Sequence, residues 1–459
     1  MKTTHGTWVG LVAALISGCG GGGGTAGSDG STTAAALALQ LGAQASADVV
    51  VQLRPGTSLE GLLAGQGLTF VDRFGSRPIF RLRAPAGANA EFVLGVLRQH
   101  PGVRFAELNA RNDAPESRRN TAWTIGGDAG VYSAQWAPQA MRLSAAHASA
   151  VGTGVRVAVL DTGADLTHPA LAGQWARDPS ARVLGRDFVD DDPDPSEAGS
   201  VADAGFGHGT HVAGLVALAA PGARIMPVRV LDAQGVGNAW VLAEAMAWAL
   251  DPDGDTTTDD GAHVINLSLG STVKTELLKT VTDLATCEFD DDDDDFRDSG
   301  FDADRARCAA GKAAVVLAAA GNSGLDTEML YPAAEGVKGT LSVAASTAQR
   351  RMAPFSNFGS WINIAAPGEL VTSTVPGGGY GSWSGTSMAS PLAAGVAALV
   401  LSTPAKDGDP GRSALRQWRP EDVSKRLTDR SAYLCGTSLR QIDAAAAVLD
   451  VQAPDIACP

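Results

Sequence analysis

The chain has 459 residues, 45% of them hydrophobic and 19% charged, which excludes a disordered protein and suits one large α/β domain with smaller appendages. Acidic residues exceed basic ones by 15, a balance that disfavours nucleic-acid partners while suiting metal cations and solubility.

Residues 1–18 carry Lys2, the apolar run Trp8–Ile16 and the small pair Ser17-Gly18 before Cys19. The run is too short to span a membrane and reads as an export signal. The sequence L-I-S-G-C resembles a bacterial lipobox, which implies a lipid anchor on Cys19, secretion across the inner membrane and attachment at the cell envelope or surface. A plain secretory leader is the alternative. Residues 19–47, rich in Gly, Ser, Thr and Ala, read as a flexible tether.

From residue 48 to 120 the pattern is that of a small α+β unit. Strands are predicted at 49–53, 69–74, 79–82 and 103–108, with helices near 59–63 and 90–99, giving the β-α-β-β-α-β order of a split βαβ unit. A polar tail, 109–120, closes it. The remainder, 121–459, alternates strands (155–160, 225–231, 264–269, 313–319, 340–344) with helices (211–219, 241–250, 275–285). That pattern argues an α/β fold with a mainly parallel sheet covered by helices on both faces, and ligands bind such sheets at the carboxyl ends of the strands.

Four motifs fall at element boundaries. Asp161, in L-D-T-G-A-D, ends an apolar strand, so its carboxylate is expected to be buried and partnered. D-T-G is also an aspartic-protease signature, but the only second loop on offer, Asp298-Ser299-Gly300, has no apolar strand before it. His208 opens G-H-G-T-H-V-A-G. Its spacing to His211 is three and the glutamate of a zinc motif is missing, so His208 reads as a general base between close-packing glycines and His211 as structural. Asn322, in A-A-A-G-N-S-G, ends another strand, where a carboxamide N–H can serve an oxyanion. Ser387, in G-T-S-M-A-S-P, begins an apolar helix, where a nucleophile meets free N–H groups. Pro391 lies deeper than the first helical position, so the helix is expected to start nearer Ser390 or to bend.

With Asp161, His208, Asn322 and Ser387 in this order, the chain resembles the subtilisin-like serine proteases over roughly residues 133–450. I-N-L-S-L-G (265–270), V-L-D-A-Q-G-V-G (230–237), Y-P-A (331–333) and A-A-P-G (365–368) match as well. The resemblance implies a proenzyme that hydrolyses peptide bonds in proteins or peptides, with an acyl-enzyme on Ser387, His208 as base, Asp161 orienting it and Asn322 as oxyanion donor. Gly235, Val236, Gly237, Ser268, Leu269, Gly270, Ala320, Gly321 and Leu330 are then the substrate-binding residues. The unit 48–120 is an intramolecular inhibitory propeptide, with 109–120 in the active site. A silent scaffold serving surface binding or adhesion is the alternative, against which the complete set of four residues speaks.

Departures from the family pattern refine the reading. Ala170 stands where the family often carries an Asp for a strong structural calcium, and Leu330 replaces a pocket-floor glycine, implying a shallow pocket and small P1 side chains. Calcium could instead use Asp187, Asp190, Asp192 and Asp194, or Asp251, Asp253, Asp255, Asp259 and Asp260, the latter spaced around a glycine turn as hard oxygen ligands require. The run Asp290–Asp295 reads as a solvated insertion. With Cys19 removed by processing, four cysteines remain and allow three connectivities; Cys287–Cys308 and Cys435–Cys458 are favoured because each closes a short segment.

Overall fold

A computed structural model describes residues 45–459 except 119–122, 290–295, 297, 406–412, 456 and 459. The export signal, most of the tether, Cys19 and the aspartate run lie outside the described residues. Among the described residues, no helix is long and apolar enough to cross a membrane.

The first unit follows the expected order. Strands β1 (Ala45–Leu53), β2 (Thr69–Arg73), β3 (Ile79–Arg83) and β4 (Val103–Asp113) alternate with helices Leu59–Gln66 and Ala90–Gln99. β1 begins four residues earlier than expected, and β4 runs five residues further, into the polar tail. One face of the sheet and the two helices close a core around Val49, Val51, Leu62, Leu82, Leu94 and Leu97. The tail is a strand because its backbone pairs with the second unit: β4 lies antiparallel to β9 (Val236–Asn238), and the sheet order is β2-β3-β1-β4-β9.

The second unit is built on a nine-stranded sheet. It runs through β6 (Arg156–Asp161), β7 (Arg186–Asp187), β8 (Arg224–Arg229), β10 (Val264–Leu267), β11 (Val315–Ala319), β12 (Thr340–Ser346), β13 (Ile364–Pro367), β16 (Ala432–Tyr433) and β17 (Arg440–Gln441). Their order is β16-β17-β13-β12-β11-β10-β6-β8-β7, all parallel except the edge strand β16. A smaller antiparallel sheet joins β14 (Val371–Val375), β15 (Gly379–Trp383) and β5 (Trp123–Ile125). The sequence reading missed β13–β17 because these strands are short or alternate Thr and Ser with apolar residues, giving no apolar run. Both expected disulfides form, Cys287–Cys308 and Cys435–Cys458, each restricting the unfolded chain by about 3 kcal/mol.

Two helices cross at the centre. Helix Thr386–Leu401 is buried along its whole length, as a helix apolar on every side after Ser390 should be, and packs on helix His208–Ala219. The two approach so closely that a Cβ on Gly395 would lie 2.3 Å from that of Ala219.

The longer helix starts at Thr386, not near Ser390, with Pro391 inside it. Proline lacks the N–H that would bond the carbonyl four residues back, that of Ser387. Ser268 fills the gap, its hydroxyl donating to the Ser387 carbonyl at 2.9 Å. The helix therefore tolerates Pro391 because a neighbouring loop satisfies the orphaned group. Ser268→Ala is expected to cost about 1–3 kcal/mol in denaturant unfolding, as a buried acceptor loses its donor. Adding Pro391→Ala, which restores a backbone N–H, recovers part of that loss; no recovery would contradict the account.

Candidate active site

β6, β11 and the two crossing helices bring the four motif residues to one place. Asp161 ends β6 fully buried, and its Oδ1 accepts from Nδ1 of His208 at 2.6 Å and from the Thr162 N–H at 2.8 Å. His208 is the first residue of helix His208–Ala219, three residues earlier than expected. The glycine after it is required by space, since a Cβ on Gly209 would lie 2.0 Å from the Gly163 carbonyl oxygen. His211 stacks on Trp383 at 4.6 Å and shares hydrogen on Nε2 with the Gly381 carbonyl at 3.1 Å. Its burial pushes the pKa down to about 3, so it is a neutral packing residue.

Ser387 occupies the second position of its helix, and Asn322 lies beyond the end of β11. The Asn322 Oδ1 accepts from both the N–H and the hydroxyl of Thr386, each at 2.9 Å. Two donors on one oxygen turn the carboxamide NH₂ toward Ser387. The Thr386 hydroxyl in turn accepts from the Gly321 N–H at 3.0 Å.

One side chain joins these groups, and it comes from the first unit. The Glu116 carboxylate accepts from Ser387 Oγ at 2.6 Å and from His208 Nε2 at 3.1 Å through one oxygen, and from Asn322 Nδ2 at 2.8 Å through the other. Burial disfavours the His208 imidazolium, yet Asp161 and Glu116 on its two sides hold its pKa well above the ordinary value. Burial likewise works against the Glu116 carboxylate, and the donors from His208, Ser387 and Asn322 hold its pKa below the usual range.

Backbone pairing delivers Glu116 to this point. Arg111, Asn112 and Asp113 pair with Asn238, Gly237 and Val236. On the opposite side Asp113 exchanges hydrogen bonds with Gly270 at 3.0 and 3.1 Å, and the Ala114 N–H donates to the Gly235 carbonyl at 3.0 Å. A strand thus enters between two backbone edges and then turns into the short helix Pro115–Arg118.

Of the proposed substrate-binding residues, Gly235, Val236, Gly237 and Gly270 form those edges. Leu330 packs under Gly270, where a Cβ would lie 2.6 Å from its Cγ. The Ser268, Leu269, Ala320 and Gly321 side of the cleft acts from behind: Ser268 braces Ser387, Leu269 and Ala320 are buried core residues, and Gly321 is held on Thr386.

Glu197 also escaped the sequence reading. It sits in a loop of acidic residues where it looks like one more solvated carboxylate. Its Oε1 accepts from the Thr162 hydroxyl at 2.5 Å and the Gly207 N–H at 2.8 Å, and its Oε2 from the hydroxyl and N–H of Thr210 at 2.5 and 3.2 Å. Gly207 and Thr210 flank the start of the His208 helix, whose N-cap glycine has no side chain, so Glu197 caps it from outside. Its burial, with Asp161 nearby, pushes its pKa up to about 7.

The acidic loops divide. Arg229 holds both Asp187 and Asp190, and Asp192 and Asp194 accept local N–H groups, at 2.8 Å from Asp194 and 3.1 Å from Ser196. These four carboxylates do not converge, because a guanidinium supplies the positive charge. In the second loop Asp259 is paired with Arg156 and Arg416 at 2.9 and 2.8 Å, and Asp255 caps Thr257 at 2.9 Å. Asp251, Asp253 and Asp260 do converge, with oxygens within 4.8 Å of one another, a set that fits a hard cation. The Lys312 ammonium lies 3.4 Å from Asp251 and supplies part of the charge there.

Comparison with known proteins agrees with this arrangement. The model of the subtilase family matches residues 152–443. A thermophilic serine proteinase of Bacillus sp. (strain AK1) is 35% identical over 325 residues, 68% of this chain and 67% of that protein. Thermitase of Thermoactinomyces vulgaris is 36% identical over 280 residues, 59% of this chain and 83% of thermitase. Among solved structures, a protease from Pseudoalteromonas arctica covers 68% of this chain and 94% of its own, at 27% identity and a TM-score of 0.52. The chain belongs to the subtilase family and is a subtilisin-like serine endopeptidase.

Proposed function

We propose that Asp161, His208 and Ser387 form the catalytic triad, that Asn322 donates to the oxyanion, and that residues 48–120 are a prosegment holding the enzyme in a self-inhibited form until it is cut. The observation that carries this reading is the Glu116 carboxylate, which takes one hydrogen bond from each of Ser387, His208 and Asn322. A nucleophile, its base and an oxyanion donor all point at one negatively charged group, as they would at a tetrahedral intermediate.

In the free enzyme His208 takes the Ser387 proton as Oγ attacks the substrate carbonyl, with Asp161 fixing the Nδ1–H tautomer. Asn322 Nδ2 and the Ser387 N–H receive the oxyanion. His208 then returns the proton to the leaving amine, and water repeats the sequence on the acyl-enzyme. The bound prosegment imitates a substrate up to Ala114. Beyond it the chain turns helical, and a side-chain carboxylate, not a peptide carbonyl, meets Ser387. Leu330 under Gly270 supports a shallow pocket and small P1 side chains. Two disulfides fit a chain that folds outside the reducing cytoplasm, in keeping with export and with the lipid-bearing role proposed for Cys19. Asp251, Asp253 and Asp260 are the residues that would hold a structural calcium ion, and no catalytic step involves it.

Three outcomes test these assignments. With the prosegment removed from both proteins by an added protease, a serine-directed phosphonate labels Ser387 in the parent and not in His208→Ala. Asn322→Ala lowers kcat by about 10²- to 10³-fold, a scale taken from subtilisin, with KM little changed, and P1-Ala peptides are cleaved faster than P1-Phe peptides. Labelling that survives in His208→Ala would sink the triad assignment, and faster cleavage of P1-Phe would sink the shallow pocket.

The pH dependence of activation follows from the His208–Glu116 pair. Because the His208 pKa is raised, the attraction it contributes is full at lower pH and is lost as pH rises through that raised value. Because the Glu116 pKa is lowered, its share is lost only in acid. The lag before activity in peptide-hydrolysis progress curves should therefore shorten from neutral to alkaline pH, and Glu116→Gln should shorten the lag at neutral pH and flatten its pH dependence. An equally pH-dependent lag in Glu116→Gln would rule out this pair as the cause.

Chelation tests the calcium assignment. EDTA is expected to lower the Tm of the parent and to leave that of Asp253→Asn/Asp260→Asn unchanged; equal Tm shifts would place the ion elsewhere.

A further inference from the structure

The segment closed by Cys287–Cys308 has no part in the chemistry above, yet it touches the prosegment far from the cleft. The turn between β2 and β3, Phe74–Pro78, rests on it. Arg77 forms a two-pronged ion pair with Asp304, Nε to Oδ2 at 2.9 Å and Nη2 to Oδ1 at 2.6 Å. Ser76 Oγ donates to the Gly300 carbonyl at 2.7 Å. Asp304 is only 4% exposed, so this is a desolvated, geometrically matched pair and not a surface contact. The Arg77 guanidinium also lies 4.4 Å from the Phe74 ring centre, and Phe74 meets Trp240 edge-on at 6.1 Å. Phe74, Phe301 and Trp240 belong to one buried cluster.

The socket is built by the catalytic domain. Phe296 packs against Phe289 at 4.8 Å and Phe301 at 5.2 Å, and buried Arg307 donates to the carbonyls of Leu284 and Lys312. The approach is close enough that a Cβ on Gly300 would lie 2.8 Å from Pro78 Cδ. In the five-stranded sheet β2 and β3 are at the edge opposite β9. The prosegment is thus gripped at two separate edges, and only one of them lies next to the chain that is cut.

We infer that residues 298–304 of the disulfide-closed segment form a recognition surface for the prosegment turn Phe74–Pro78, and that they retain the prosegment on the catalytic domain after the connecting chain is cut. The inference rests on the reading of residues 48–120 as a cleaved prosegment. Its occupant is an aromatic residue followed three positions later by an arginine on a tight turn. An aromatic anchor beside a desolvated charge pair is the composition of an interface hot spot.

Charge exchange tests it. In the Ser387→Ala chain, where no cleavage is needed, amide exchange is followed at residues 74–80 and 299–304. Arg77→Asp and Asp304→Arg each set like charges together and should raise exchange in both segments by about tenfold or more, and combining the two should restore protection. In the active chain the same series is read by gel filtration, where the single variants lose the co-eluting prosegment and the double exchange regains it. Exchange and co-elution that are unmoved by the single reversals, or not restored by the double one, overturn the inference. Retention of protection in the combined variant also shows that the single variants did not fail simply by misfolding. A chain never cut despite the expected exchange pattern supports the recognition surface, and overturns both the retention step and the self-processing reading.

Discussion

A buried imidazole between two carboxylates is the constraint on which the rest of this site depends. His208 is 2% exposed, and a charge at that depth persists only if it is paired on every side that water would otherwise solvate. Asp161 supplies one side permanently. Glu116 closes the other side, and under the proposed function it does so only while the prosegment is in place. The supporting shell is arranged to keep the permanent side fixed. Glu197 ties the residue after Asp161 to the residue before His208, and Ser268 repairs the hydrogen bond that Pro391 removes behind Ser387. Each of these is a polar group satisfying another polar group that the chemistry has left exposed in an apolar interior.

The proposed inhibited state would use the same forces as substrate binding. Main-chain pairing with β9 and Gly270 is indifferent to side-chain identity, so the prosegment strand fits without special sequence as far as Ala114. The difference is made by a local change of backbone at Pro115, a residue comfortable at the start of a helix. The helical turn withdraws the peptide carbonyl and substitutes a carboxylate of similar charge to the transition state. On the proposed reading, inhibition would need one proline and one glutamate in addition to the main-chain pairing a substrate strand would make.

Much of the fold was legible in the sequence because parallel strands buried on both faces are continuous apolar runs: β6, β10, β11 and β12 all read so, Asp161 and Asn322 lay at the ends of such runs, and His208 and Ser387 opened apolar helices. What stayed hidden depended on partners distant in sequence. β4 continues past Leu108 through polar residues because β9 completes its hydrogen bonds. Pro391 sits inside a helix because of Ser268, more than a hundred residues away. Glu116 and Glu197 look like ordinary surface acids until their donors are assembled around them. The first acidic loop suggested a cation, and one is there, but it is the guanidinium of Arg229. No spacing rule within the loop could have indicated that.

On the proposed reading, the order of the segments along the chain would give the Glu116 region a role in location as well as in activity. Cys19, for which a lipid was proposed, precedes the proposed prosegment, and Ser387 follows it. Any cut near residue 116 therefore severs the catalytic domain from whatever holds the N-terminus. With the proposed anchor on Cys19, the protease would then stay at the envelope only as long as non-covalent contacts keep the two pieces together. Under these two proposals taken together, departure of the inhibitor and departure from the membrane would be a single event, and the enzyme would become active and diffusible at the same instant.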